Sequence, residues 1–166
     1  MSSTQPSTEL LWDLIKEIRY AMLTTHGADG HLHSRPVTTQ NKDLDEDRDL
    51  WFFMSRSGSP LRDILADGNV NVAYAHPGKD SYVSVAGQAE LVENSGKKEA
   101  LWNKMAQAWF PGGVNDPDLA LVRVRIAHAH YWDVRENKLV QLFEMAKASV
   151  TGKPPKDMGR SGEVRP

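Results

Sequence analysis

Two pairs of short runs rich in β-branched and apolar residues, each pair closed around a tight glycine-bearing turn, constrain this chain more than any other feature. Ala21 to Thr25 and Leu32 to Thr39 flank Gly27-Ala28-Asp29-Gly30, whose glycines permit positive φ, and Asn69 to His76 and Ser81 to Val92 flank Pro77-Gly78-Lys79-Asp80. Each pair reads as a β-hairpin. Leu50 to Met54 adds an aromatic-rich strand. Leu119 to Trp132 adds a long alternating one, with Leu121, Arg123, Arg125, Ala127, Ala129 and Tyr131 on one face.

Helical spacing recurs between these runs. Leu10, Leu11, Leu14, Ile15 and Ile18 form one apolar face behind a Ser7 or Thr8 cap, and that helix ends near Arg19. Pro60 opens a short helix that Gly68 stops. Lys97 to Trp109 reads as one helix ended by Phe110-Pro111-Gly112-Gly113, and Leu139 to Val150 as a last one. About six hairpin-joined strands with helices over them predict a mainly β, α+β fold built on an antiparallel barrel. No βαβ alternation and no Gly-x-Gly-x-x-Gly follows a strand, which disfavours a dinucleotide-binding domain of the doubly wound kind.

A length of 166 residues suits one domain, taken as residues 1–151, with a disordered polar tail over 152–166 where Gly, Pro, Lys, Arg and Ser dominate. The apolar runs fall far short of the roughly 20 residues a bilayer crossing needs, and no leader pattern opens the chain, so the expected setting is cytoplasmic, away from membranes. The absence of cysteine removes disulfide and thiolate metal chemistry, and a net charge of -2 gives little drive toward nucleic acid. Gln40 to Asp49 reads as a loop whose acidic tip, Asp43 to Asp49, is solvated.

Arg35 lies mid-strand directly before Pro36, which holds it extended, and its planar fork suits a phosphate or a ring oxygen. The plainer reading is a surface arginine on an edge strand. Ser55-Arg56-Ser57-Gly58-Ser59 leads into the Pro60 helix, where hydroxyls and free N–H groups at a positive helix end make a phosphate cradle or ordinary capping chemistry. His31 with His33, and His128 with His130, share strand faces but lack the further ligands a metal site requires, so no metal is expected. Trp12 and Trp102 fall on helical patterns. Trp51, Trp109 and Trp132 lie beside strand ends or turns, where a ring covers a planar ligand or simply packs. No side chain stands out as a catalytic base, and the catalytic residues stay unknown.

In their order and spacing, Ser34-Arg35-Pro36-Val37, Leu50-Trp51-Phe52-Phe53-Met54-Ser55, Ser59-Pro60, Tyr82-Val83-Ser84-Val85-Ala86-Gly87 and Tyr131-Trp132-Asp133 resemble the general-stress-protein branch of the pyridoxamine 5′-phosphate oxidase-like FMN-binding split barrels. The resemblance implies a six-stranded split barrel that forms a homodimer with FMN, or alternatively FAD, at the subunit interface. It implies cofactor-binding roles for Arg35, Pro36, Val37, Met54, Ser55 and Ser59, with Arg62 as a substitute cation and Tyr82 and Trp132 approaching across the dimer. It further implies a stress-associated flavin-dependent oxidoreductase, or else a non-catalytic flavin-binding or flavin-sensing protein. The chain departs from the oxidases at Pro60 and Leu61, which replace an Arg-Lys pair, and at Gln40, which replaces a phosphate-binding Lys. The substrate-binding segment is also replaced, by Lys138-Leu139-Val140 and Leu142. Pyridoxamine phosphate oxidase activity is therefore not expected, and Arg35→Ala is expected to weaken FMN binding without unfolding the protein.

Overall fold

A computed structural model describes residues 4–44, 47–133, 138–154 and 160–165. Helix α1 (Thr4–Ile18) buries Leu11, Leu14 and Ile15 and starts several residues ahead of the Ser7 or Thr8 cap read from the sequence. It stops at Arg19, which takes φ 64 and donates its N–H to the Ile15 carbonyl at 2.7 Å, a left-handed C-terminal cap. There follow β1 (Tyr20–His26), β2 (Leu32–Thr38), β3 (Asp49–Ser55), α2 (Ser59–Ala66), β4 (Asn69–His76) and β5 (Ser81–Val92). The remaining elements are α3 (Ser95–Leu101), α4 (Lys104–Trp109), β6 (Leu119–Asp133), α5 (Lys138–Thr151) and β7 (Arg160–Val164).

The strands make one antiparallel sheet in the order β2-β1-β4-β5-β6-β3, with β7 also paired to β6. The sheet curls around Leu23, Phe52, Val72, Tyr74, Val85, Val122 and Val124, and α1 together with Leu61 and Ile64 of α2 closes that core. At the two ends of the path, among the described residues, β2 pairs only with β1 and β3 only with β6. Pro36, which has no ladder donor, accordingly sits on an end strand. The ends approach where the Gln40 N–H donates to the Trp51 carbonyl at 2.9 Å. Beyond that point the two edges do not pair, and the result is a half-barrel.

Four details depart from the sequence reading. The described residues form seven strands rather than six, because Arg160–Val164, expected to lie in a disordered tail, pair with Ala129–Asp133. The long β6 outruns β3, which covers only Leu119 to Arg125, and the exposed peptide groups beyond it gain a partner while Val164 is buried. The helix expected over Lys97 to Trp109 breaks into α3 and α4, because the Asn103 carboxamide oxygen caps the second piece at the Ala106 N–H, 3.0 Å away.

The third departure is Asp49. It was read as part of the solvated acidic tip but is buried and lies within 4 Å of Arg123 and Arg125. Asp45 and Glu46 of that tip lie outside the described residues. Finally, the alternation along β6 changes phase. Ala86 faces His128 while Gly87 faces Ile126, so Ala127 is an extra residue, a β-bulge. Val122, Val124 and Ile126 are buried on one side of it, and Ala129, Tyr131 and Asp133 on the other.

The bulge requires a residue without a side chain opposite it. A Cβ on Gly87 would fall 2.5 Å from the Arg125 carbonyl oxygen and 2.8 Å from Val124. Gly87→Ala should therefore cost about 1–3 kcal/mol of stability, read as a lower urea midpoint with the slope unchanged.

Candidate functional site

Along the split between β2 and β3 runs a cleft of about 660 Å³, within the usual range for small-molecule sites. Arg35, Pro36, Val37 and Thr38 of β2 form one wall and Phe53, Met54 and Ser55 of β3 the other. Met105, Ala106, Trp109 and Phe110, on or just after α4, line it further. Arg19, Gln40 and Asn103 lie toward the end where the strands meet, while Pro60 and Asp118 line it with Ser55. The lining is mostly apolar, as a flat aromatic ligand requires.

Of the residues singled out from sequence, Arg35, Pro36, Val37, Met54 and Ser55 come together here. Ser59 and Arg62 lie exposed on α2, outside the lining. Tyr82 and Trp132 lie on the outer face of the sheet, directly opposite each other in the β5–β6 register. On that face Met22 is adjacent to Ala73, Ala73 to Ser84, Ser84 to His130, and His130 to Glu163. Tyr20, Met22, Tyr82 and Trp132 are 38–58 % exposed there, a broad sheet face with large apolar side chains at its margins and small ones toward the middle.

Part of the Arg35 guanidinium is engaged within the chain. The guanidinium donates to the buried Thr25 hydroxyl and lies 3.5 Å from Asp63, to which Thr25 itself donates at 2.8 Å. This network ties β1, β2 and α2 together. Beyond the weaker FMN binding expected of it, Arg35→Ala would strip a largely buried carboxylate of its cation.

The serine loop is likewise already engaged. Asp118, on the segment entering β6, accepts from the Ser55 hydroxyl at 2.6 Å, and from the Ser57 N–H at 3.0 Å and its hydroxyl at 2.9 Å. The Ser55 hydroxyl bond, followed by the Ser57 N–H and hydroxyl, holds the Asp118 carboxyl below its ordinary 3.8. The loop thus holds an anion of its own chain, the Asp118 carboxylate.

Sequence reasoning missed Arg19, Tyr20, Asn103, Met105 and Asp118 as lining residues. Trp109, whose ring the sequence offered either as a ligand cover or as packing, lines the cleft and is 82 % exposed. Asp118 carried no signal, since only the fold brings it to Ser55. Trp12 is half-buried against the core, Trp102 packs at a centroid distance of 6.0 Å from Phe53, and Trp51 is buried beside Leu101 and Leu121. His33 pairs with Asp29 at 3.0 Å and His130 lies 3.6 Å from Glu163. Among the described residues no three His, Asp or Glu side chains gather as a metal site would require. No helix among them is long and apolar enough to cross a membrane.

A curled antiparallel sheet whose end strands stay apart over a ligand-sized cleft is a split β-barrel. Residues 7–156 match the family model described as pyridoxamine 5′-phosphate oxidase like, and the chain belongs to that family. It is 26% identical over 148 residues to protein bli-3 of Neurospora crassa, covering 82% of this chain and 69% of that one. The crystal structure of the general stress FMN/FAD binding protein of Xanthomonas citri is 31% identical, with a TM-score of 0.66 over 78% of this chain and 90% of that one. General stress protein 26 of Bacillus anthracis shares the fold at 23% identity, with a TM-score of 0.67 over 75% and 92% of the two chains.

Removing the Arg35 guanidinium should cost about 1.5–3 kcal/mol of stability, the usual range for a hydrogen bond to a charged group, measured by chemical denaturation of Arg35→Ala. Asp63→Asn in that background should recover part of the loss, since it removes the stranded charge.

Proposed function

We propose that this chain is a stress-associated flavin-binding protein that takes FMN, with FAD as the alternative, in the cleft between β2 and β3, and that it works there as a flavin-dependent oxidoreductase. The observation that carries the reading is the cleft itself: an apolar slot between two strand edges, lined by Arg35, Pro36, Val37, Met54 and Ser55 as the family resemblance requires. Its walls fit the ring system. Backbone groups of the unpaired edges supply hydrogen-bonding atoms beside it, and Met54 and Pro36 supply apolar contact. The phosphate half fits less simply, because Leu61 is buried in the core, Gln40 is neutral, and Arg35 is tied to Asp63. The Xanthomonas citri relative, named for FMN and FAD binding, supports the cofactor class.

When bound, the flavin supplies the electron chemistry. The chain's residues orient it and exclude water. Among the described residues Asp118 is the only carboxylate in the lining, and the serine donors on its oxygens weaken it as a base. That observation favours a second reading, a non-catalytic flavin-binding or flavin-sensing protein, and makes pyridoxamine phosphate oxidation a poor candidate.

A homodimer formed through the outer sheet face, in a cytoplasmic setting, completes the proposal. Tyr82 and Trp132 are too remote from their own cleft to line it, and docking this face on a second copy would let them approach the partner's cofactor. The exposed Met22 and Tyr20 beside small Ala73 give such a face apolar area to bury.

Titration of the ligand-free protein with FMN, read by flavin fluorescence and the visible bands with pyridoxal phosphate in parallel, should show FMN binding alone. Failure of FMN to bind would sink the FMN reading. Given binding, turnover of NAD(P)H separates the oxidoreductase from the non-catalytic protein. Met22→Glu should convert a dimer to a monomer in sedimentation and weaken FMN binding. A wild-type monomer would remove the dimer from the proposal.

A further inference from the structure

The serine loop carries a feature that the flavin reading alone does not explain. A phosphate-binding loop needs donors with no anion of their own chain upon them, yet the Ser55 hydroxyl, the Ser57 hydroxyl and the Ser57 N–H all point at Asp118. The loop is further fixed to the same residue by its backbone, since the Arg56 N–H donates to the Asp118 carbonyl at 2.7 Å. Asp118 is itself positioned by its N–H, which donates to Asp116 at 2.9 Å. Arg56, the cation of the loop, is paired with Glu93 at 2.7 Å.

We infer that Asp118 is a specificity-determining residue that sets this end of the cleft against a dianionic phosphate, so that a flavin with an uncharged tail, riboflavin, is held about as well as FMN. The inference rests on the reading of the cleft as a flavin site. Its physical basis is how the charges of the cleft and its serine loop are paired. Arg35 is neutralised by Asp63 and Arg56 by Glu93, and the hydroxyls that would meet a phosphate are taken by an ionised carboxylate. An incoming phosphate must displace Asp118 from the cradle or bind beside a like charge, and both weaken it. A ribityl hydroxyl meets no such conflict, since it donates a proton and Asp118 can accept it. The same carboxylate that opposes FMN gives a neutral tail a partner.

The test is a pair of titrations, FMN and riboflavin, on the full chain, its Asp118→Asn variant and Asp13→Asn, which makes the same charge change on an exposed part of α1. The wild type should prefer FMN by less than about threefold, and Asp118→Asn should raise the preference by about tenfold, one charged interaction's worth, while leaving riboflavin nearly unmoved. Asp13→Asn should change neither. A wild-type preference of more than about threefold for FMN, or a ratio that moves by less than about threefold in Asp118→Asn, overturns the inference. Asp118→Ser, read in the same way, serves if the asparagine variant does not fold. Riboflavin binding with an unmoved ratio would remove the Asp118 inference and leave the flavin site standing; no binding of either flavin would remove both.

Discussion

The hydrogen bond from the Gln40 N–H to the Trp51 carbonyl joins the two ends of the sheet, and the geometry of the cleft follows from it. A sheet that closed along the whole length of β2 and β3 would bury both edges and leave no slot. One that never closed would leave the core of Phe52, Val122 and Leu23 open at its side. Pinning the edges at one end and leaving them apart at the other gives both a dry core and a cleft walled partly by peptide groups. Pro36 belongs to this arrangement, since its missing donor sits on a strand with a free side.

Much of the sheet was legible because hairpins are local. The turn sequences at Gly27 to Gly30 and Pro77 to Asp80 sit between runs whose register they set, and both second-hairpin strands have the bounds read from sequence. What escaped reading depends on contacts far apart in the chain. The phase change at Ala127 exists because Gly87 admits the Arg125 backbone, and β7 because β6 outruns β3. The break between α3 and α4 also answers to a distant partner: the Asn103 amide donates to Gln40 at 2.7 Å while its oxygen caps the second helix.

The site divides in the same way. The β2 and β3 residues of the cleft were readable because they lie on two strands with recognisable spacing. The charges around them were not, because pairing cannot be read from residue type. Arg35 looked like a ligand's cation and is bound to Asp63. The serine loop looked like a cradle awaiting an anion and holds Asp118. In both cases a group of the same chain occupies donors that residue type alone leaves open to a ligand. A composition-based count of positive groups near the cleft would overstate the field a ligand meets there.

The short strand β7 bears on the protein's behaviour in crowded solution. Between them, β3 and β7 cover the same edge of β6 from Leu119 to Arg125 and from Ala129 to Asp133, leaving only the residues at the bulge without a neighbour. Without β7, the stretch from Ala129 to Asp133 would present unpaired peptide groups on that edge to any other extended chain. A short segment laid over that edge guards it against self-association of the wrong kind, and proteolytic trimming ahead of Arg160 would leave it open to a second extended chain.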